Sequence, residues 1–247
     1  MAGLLVHPLD AAPDLIRQYR RLVATAPDAL TCWLVLRKAP PAPFIPPEWH
    51  GKEVAIVALC HCGPLDAARE AVAPFRALGK PIVDLVQPQP FVGWQAAFDP
   101  LLTPGARNYW KSHDFAELTD AVGAILVSAV RALPSDECEV FVGNLGAEVS
   151  RVPADATAFS RRDVQFVINV HTRWQEPRHD AACIAWARGL FDALAPHAAG
   201  SVYVNFMPAD EADRVRGAYG GNYERLAIVK KRYDPDNLFR LNQNIAA

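Results

Sequence analysis

Several stretches of this sequence hold residue types that could carry out chemistry. Cys60-His61-Cys62 has the look of a metal site. Alternation along a strand puts both thiols on one face and His61 on the other. A zinc site needs about four converging ligands, for which Cys32, Cys138 and His50 are available. The alternative is a set of reduced, buried core cysteines. Asn108-Tyr109-Trp110-Lys111-Ser112-His113 packs polar and aromatic groups into a short run. It could line a pocket, or it is a strand end with one packed face. Arg151 follows Gly143-Asn144-Leu145-Gly146 and could clamp a carboxylate or phosphate; a solvated surface arginine is the other reading. Tyr203-Val204-Asn205-Phe206 sets a phenol and a carboxamide on one face of an expected strand. The sequence contains no GxGxxG, no phosphate-binding GxxxxGK[ST], no GxSxG and no HExxH.

The elements that must hold these residues follow from periodicity. Short strands are expected at 3–6, 31–36, 53–62, 139–142, 164–170 and 202–206. Helices are expected at 13–25, 65–78, 116–132, 180–195, 209–217 and 221–232. Residues 39–47 hold five prolines in nine positions and read as a loop. The Pro- and aromatic-rich passage 88–109 reads as irregular with a short helix near Gln95. No internal repeat is visible. Several connections are too short for parallel crossovers. The expectation is therefore an α+β domain: a mostly antiparallel β-sheet with helices packed on one face and some ferredoxin-like β-α-β-β-α character.

Composition narrows the function classes. The 247 residues carry 25 Lys and Arg against 27 Asp and Glu, so nucleic acid is not an expected partner. Half the chain (51%) is hydrophobic, enough for a packed core. No run approaches a membrane span, and the first residues lack the pattern of a secretion signal. A cytoplasmic location is expected, in keeping with five unpaired-looking cysteines.

The C-terminal stretch is the most specific. It reads Tyr219-Gly220-Gly221-Asn222-Tyr223-Glu224-Arg225-Leu226, then Lys230, then Tyr233-Asp234-Pro235-Asp236-Asn237-Leu238-Phe239, closing on Asn242-Gln243-Asn244-Ile245. Gly220-Gly221 opens a helix, Asp234-Pro235-Asp236-Asn237 is turn chemistry, and Asn242 and Asn244 are expected to alternate on an extended strand. This stretch resembles the C-terminal signature of the berberine-bridge-enzyme-like FAD-linked oxidases. Thr157-Ala158-Phe159-Ser160-Arg161-Arg162, the Tyr203 to Phe206 run, Tyr109-Trp110-Lys111-Ser112 and the opening Gly3 to Pro8 resemble the same family.

The resemblance covers the substrate-binding half of such an enzyme, as one domain over 1–247 with 203–247 as the berberine-like segment. The FAD-binding half is not represented. It implies that Tyr203, Asn205 and Asn242 face the flavin, and that Tyr109, Lys111 and Arg151 line the substrate cavity. Two departures stand out. The family's usual tyrosine base is Phe206 here, and the usual histidine of the Phe-Pro-His-Arg run is Arg161. The expected function is the substrate side of an oxidoreductase that passes hydride to FAD, binding a small molecule. FAD would be held weakly or not at all by this chain alone. The partner would be a separately encoded flavin domain, or a second copy through an uncovered apolar face. The alternatives are a non-catalytic binding module or remnant, and a flavin-free enzyme using Cys60, His61 and Cys62.

Overall fold

In the computed structural model, residues 1–245 are described. They form seven strands: β1 (Ala2–Pro8), β2 (Leu30–Lys38), β3 (Glu53–His61), β4 (Val83–Asp84), β5 (Arg107–Phe115), β6 (Glu139–Asn144) and β7 (Phe166–Trp174). The helices are α1 (Ala12–Val23), α2 (Leu65–Arg76), α3 (Phe91–Ala96), α4 (Asp120–Val130), α5 (Glu148–Arg151), α6 (Asp180–Leu194), α7 (Val215–Tyr219) and α8 (Tyr223–Tyr233). All seven strands join one sheet in the order β4-β1-β3-β2-β6-β7-β5, and every pairing is antiparallel. The α+β architecture expected from periodicity is the one observed.

The order of strands holds a repeat that the sequence does not display. β1-α1-β2-β3-α2-β4 lies in the order 4-1-3-2, with β3 inserted between β1 and β2. β5-α4-β6-β7-α6 repeats the same split β-α-β path, with β7 inserted between β6 and β5. The two units meet where β2 pairs with β6. Where the second unit would place a fourth strand, residues 199–201 run beside the end of β5: the Ala199 amide donates to the Asp114 carbonyl at 2.8 Å, and the Asp114 amide donates to the Ser201 carbonyl at 3.3 Å. Both units bury the same kind of apolar stripe, and this pattern needs no shared residue identity.

One sheet face is covered by helices. Leu34, Leu36, Val57, Leu59, Val140, Val142, Ile168 and Val170 point into it and are buried with Ile16 and Tyr19 of α1, Leu126 of α4 and Leu190 of α6. α4 starts where the Thr119 hydroxyl accepts the Val122 amide at 3.2 Å, a side-chain N-cap. The opposite face carries the alternate residues and is roofed by connections. Ala39 and Ile45 cover Val6, Val54 and Ile56, and Phe98 packs on Trp33, which meets Phe141 edge-on at 5.2 Å. β3 is thus apolar on both sides because both sides are covered.

Several local expectations change. The irregular passage ends earlier than expected, because β5 pairs with β7 from Arg107 onward. The expected strand 202–206 is a 3-10 turn, Val204–Phe206. Its amides bond locally, Phe206 to Tyr203 at 2.9 Å and Met207 to Val204 at 3.4 Å. The turn is held because Val202, Met207, Val215, Ala218 and Tyr223 close a small core of their own. The expected helix 209–217 is divided into a 3-10 segment, Ala209–Arg214, and α7, with a break at Glu211. Glu211 leaves helical geometry to reach a buried lysine, as described below. Asn242 has a left-handed backbone (φ 60°), so residues 242–244 turn rather than extend.

Candidate functional site

Alternation on β5 divides the 108–113 cluster between two environments. Tyr109, Lys111 and His113 face the helices, while Asn108, Trp110, Ser112 and Asp114 face the loops.

On the helix side, Lys111 donates to Glu211 at 2.6 Å in a pair with both side chains buried. Arg214 joins the same carboxylate at 2.9 Å and reaches His113 Nδ1 at 3.3 Å. The His113 ring stacks on Phe191 at 4.0 Å. Burial, and next the Arg214 charge, push the His113 imidazole down to about 4. Tyr109 donates its hydroxyl to Asp210 at 2.8 Å. This network docks the 209–214 segment onto β5 and α6.

On the loop side, polar residues run across four strands. Arg37 of β2 donates to Glu139 of β6 at 2.7 Å, and His171 of β7 meets the other oxygen of Glu139 through Nδ1 at 3.1 Å. Burial would raise the Glu139 carboxyl, but the His171 hydrogen bond and the Arg37 charge outweigh it and hold it below the usual range. Trp110, the β5 partner of His171, lies edge-on to it at 4.3 Å. Phe206 lies 5.7 Å beyond Trp110, and Tyr203 5.0 Å beyond Phe206. Four buried polar atoms of this surface have no protein partner: His171 Nε2, Trp110 Nε1, Ser112 Oγ and Asn169 Oδ1. Ser112 and Asn169 are opposite one another in the ladder, as are Trp110 and His171. Native proteins rarely leave such atoms unpaired, and their gathering on one surface makes it the candidate binding face.

Two hollows flank Trp110 and His171. A groove of about 580 Å³ is lined by Asn108, Trp110, Asn205, Phe206, Met207 and Asp210 among others. A cavity of about 260 Å³ is lined by Arg37, Glu139, His171 and Arg173 under Pro40, Leu101 and Leu102.

The C-terminal motif acts as a set of staples. Asn222 donates to the Ala154 carbonyl at 2.7 Å and the Thr157 carbonyl at 3.0 Å, and Arg225 donates to the Asp155 carbonyl at 2.9 Å. These bonds pin the loop that carries Thr157 to Arg162. Gly220 has φ 52°, and a Cβ there would lie 2.8 Å from Ser160 Oγ. Lys230 binds Asp234 and the Phe239 carbonyl, while Asp234 accepts the Leu238 amide at 2.7 Å and the Phe239 amide at 3.0 Å. Gln243 donates to the Met207 carbonyl at 2.8 Å, which ties the closing segment to the Val204–Phe206 turn.

Of the expected flavin-facing residues, Asn205 donates to the Tyr203 hydroxyl at 2.7 Å, and Asn242 precedes Gln243, which bonds the Met207 carbonyl. The expected substrate residues lie apart. Tyr109 lines the groove with Asn205 and Phe206, Lys111 points to the helices and pairs with Glu211, and Arg151 is exposed in α5, bound to Asp28 at 2.7 Å and Glu148 at 3.2 Å. Periodicity missed Arg37, Glu139, Asn169, His171 and Arg173. The signal was present in β7, where Asn169, His171 and Arg173 recur at every second position of a strand that is otherwise apolar but for Thr172. Cys60 and Cys62 bring their sulfurs to 3.9 Å, and burial, followed by the Cys62 hydrogen bond, pushes the Cys60 thiol up to about 11. No three metal-ligating side chains converge among the described residues.

Comparison with known proteins places this geometry. The berberine and berberine-like family matches residues 202–246. The uncharacterized FAD-linked oxidoreductase YgaK of Bacillus subtilis is 30% identical over 188 residues, covering 74% of this chain and 41% of YgaK. The FAD-linked oxidoreductase aurO of Gibberella zeae is 27% identical over 247 residues, covering 97% of this chain and 46% of aurO. The chain thus spans less than half the length of these relatives. Among solved structures, a berberine bridge enzyme variant described as a reticuline dehydrogenase superposes with a TM-score of 0.80 at 16% identity, over 98% of this chain and 54% of that one. The 6-hydroxy-D-nicotine oxidase of Arthrobacter nicotinovorans gives 0.78 at 19% identity, over 99% and 54%. Sheet order, helix layer and C-terminal segment together define the substrate-domain fold of FAD-linked oxidases. The chain carries the berberine and berberine-like segment, is similar to FAD-linked oxidoreductases over less than half their length, and has the fold of the corresponding half of berberine-bridge-like structures.

Proposed function

We propose that this chain is the substrate side of an FAD-linked oxidoreductase and works against a flavin domain that lies outside this stretch of sequence. The single observation that carries the reading is the loop-side sheet face. It gathers four unpartnered buried polar atoms beside the turn that bears Tyr203 and Asn205. The residues suit one side of a flavin ring. Tyr203, Asn205 and Asn242 would meet the cofactor's edge, and nothing in the set provides a cradle for its pyrophosphate.

Bound FAD would supply the two-electron acceptor for hydride leaving a carbinol or amine carbon. The chain's own part is to bind and orient the substrate. Trp110 and Phe206 offer apolar ring surface in the groove, and Asn108 and Asn205 offer donors and acceptors. Segment 203–247 fixes this wall through the Asn222, Arg225, Lys230 and Gln243 contacts. Exposed apolar side chains on α3 and the turn after it (Phe91, Val92, Leu101, Leu102) and on α8 and its C-terminal turn (Ile228, Leu238, Phe239, Leu241) are the surface offered to the flavin domain. Among the described residues, no helix is long and apolar enough to cross a membrane.

The test is an absorbance spectrum of the purified chain after FAD addition and desalting, alone and mixed with the FAD-loaded flavin domain of YgaK. A panel of carbinols and amines then follows under anaerobic conditions. Flavin retained only in the mixture, and bleached by a member of the panel, supports the reading. A mixture that forms no complex, or bleaches with none of the panel, favours the non-catalytic binding module.

A further inference from the structure

Oxidation of a carbinol or amine releases a proton as well as a hydride, and Phe206 has no group to receive it. The geometry points to His171 as the proton acceptor, with Glu139 and Arg37 as positioning residues and Trp110 as a cover over its free nitrogen. This inference rests on the oxidoreductase reading above.

The Glu139 carboxylate, held ionised by Arg37, can only accept a hydrogen bond. Its contact with His171 Nδ1 at 3.1 Å therefore assigns a hydrogen to Nδ1, and in the neutral ring the lone pair is then on Nε2. Nε2 is buried and has no protein partner. A ring nitrogen left bare while the other ring nitrogen donates to a carboxylate is the arrangement a general base requires. The charged groups around the ring are Glu139 of β6, Arg37 of β2 behind it, Arg173 on the same strand, and Asp136 and Glu137 across the cavity. Arg173 is itself neutralised by Glu137 at 2.7 Å.

Trp110 lines the groove that holds Asn205 and Phe206, and its ring lies edge-on to His171, which lines the cavity. A substrate in the groove that displaces this ring brings its O–H or N–H to Nε2. The proton goes to Nε2 and the pair left on oxygen or nitrogen forms the double bond to carbon. The C–H bond breaks with its electron pair going to the flavin, which is the oxidant. The imidazolium later returns its proton to solvent.

The first measurement is nitrogen-15 NMR of the histidine rings in the 247-residue chain. The result expected is the Nδ1–H tautomer for His171 in the neutral state, shifting toward the Nε2–H form in Glu139→Gln. An Nε2–H ring in the unmodified chain overturns the proposal, because that nitrogen could then accept nothing. The second is diethyl pyrocarbonate labelling read by mass spectrometry. Trp110→Ala should raise His171 labelling at least about tenfold, in proportion to the exposure of a nitrogen base. Equal labelling overturns the role given to Trp110. In the complex with the flavin domain, His171→Gln should slow flavin bleaching by roughly a hundredfold or more near neutral pH, with substrate affinity unchanged. Bleaching at the unmodified rate overturns the proposal. If the unmodified complex bleaches with no substrate, the oxidoreductase reading fails, while the tautomer still decides whether His171 can take a proton.

Discussion

Acid should weaken this fold through one buried ring, His113. Its imidazole is held neutral between Phe191 and the Arg214 guanidinium, with Nδ1 facing Arg214 and Nε2 at 3.2 Å from the Phe191 carbonyl. Its value falls from an ordinary 6.5 to about 4. The unfolded chain therefore binds a proton that the folded chain refuses, and this contribution to stability is present above pH 6.5 and lost as pH falls toward 4. At 1.36 kcal/mol for each unit of displacement, the full effect is about 3 kcal/mol, of which about 2 kcal/mol is lost between pH 7 and pH 5. Urea unfolding of the unmodified chain and His113→Gln at both pH values reads this directly. Gln keeps an acceptor for Arg214 and cannot titrate. Other titrating groups act in both proteins and cancel in the comparison. The variant should lose about 2 kcal/mol less than the unmodified chain between the two conditions. An equal loss in both would refute the claim that His113 is buried neutral against Arg214.

Three further outcomes follow from the same geometry. Glu139→Leu leaves the Arg37 guanidinium buried without its partner and should cost about 3 kcal/mol by chemical unfolding. Gly220→Ala should cost about 1–2 kcal/mol, through a left-handed backbone and the 2.8 Å approach to Ser160; Gly221→Ala, which meets nothing within 4 Å, should stay close to the unmodified melting temperature. Asp234→Ala removes the acceptor for the Leu238 and Phe239 amides and should speed trypsin cleavage at Arg240 while the main unfolding transition stays in place.

Much of the fold was legible because helices α1, α2 and α6 carry one apolar stripe each and strands β2, β3 and β6 are β-branched or apolar runs. β5 was obscured by the proline- and aromatic-rich passage before it, and its identity as a strand came from resemblance rather than period. The turn at 203–206 was misread because its four residues alternate like a strand, while the decisive contacts come from Met207, Val215 and Tyr223 further along the chain. The site divided differently from expectation for a related reason. Lys111 looked like a pocket residue by type, but register with β7 turns it toward the helices, where Glu211 takes up its charge; Tyr109, on the same face, still lines the groove beside Asn205. Glu139 and His171 are 32 residues apart and neither sits in a motif. Only strand order makes them neighbours. The C-terminal signature was legible as a family mark, and the structure explains its residues as staples between loop 154–157, the 234–239 turn and Met207.

The central claim is that the loop-side face of β5, β6 and β7, with the turn at 203–206, forms the wall that meets the flavin. Hydrogen–deuterium exchange of this chain, with and without the FAD-loaded flavin domain of YgaK, tests it most directly. The account predicts slowed exchange at 203–208 and 238–244, with α1 and α4 unchanged. Protection confined to the helix-covered side, with 203–208 exchanging as in the free chain, would contradict it.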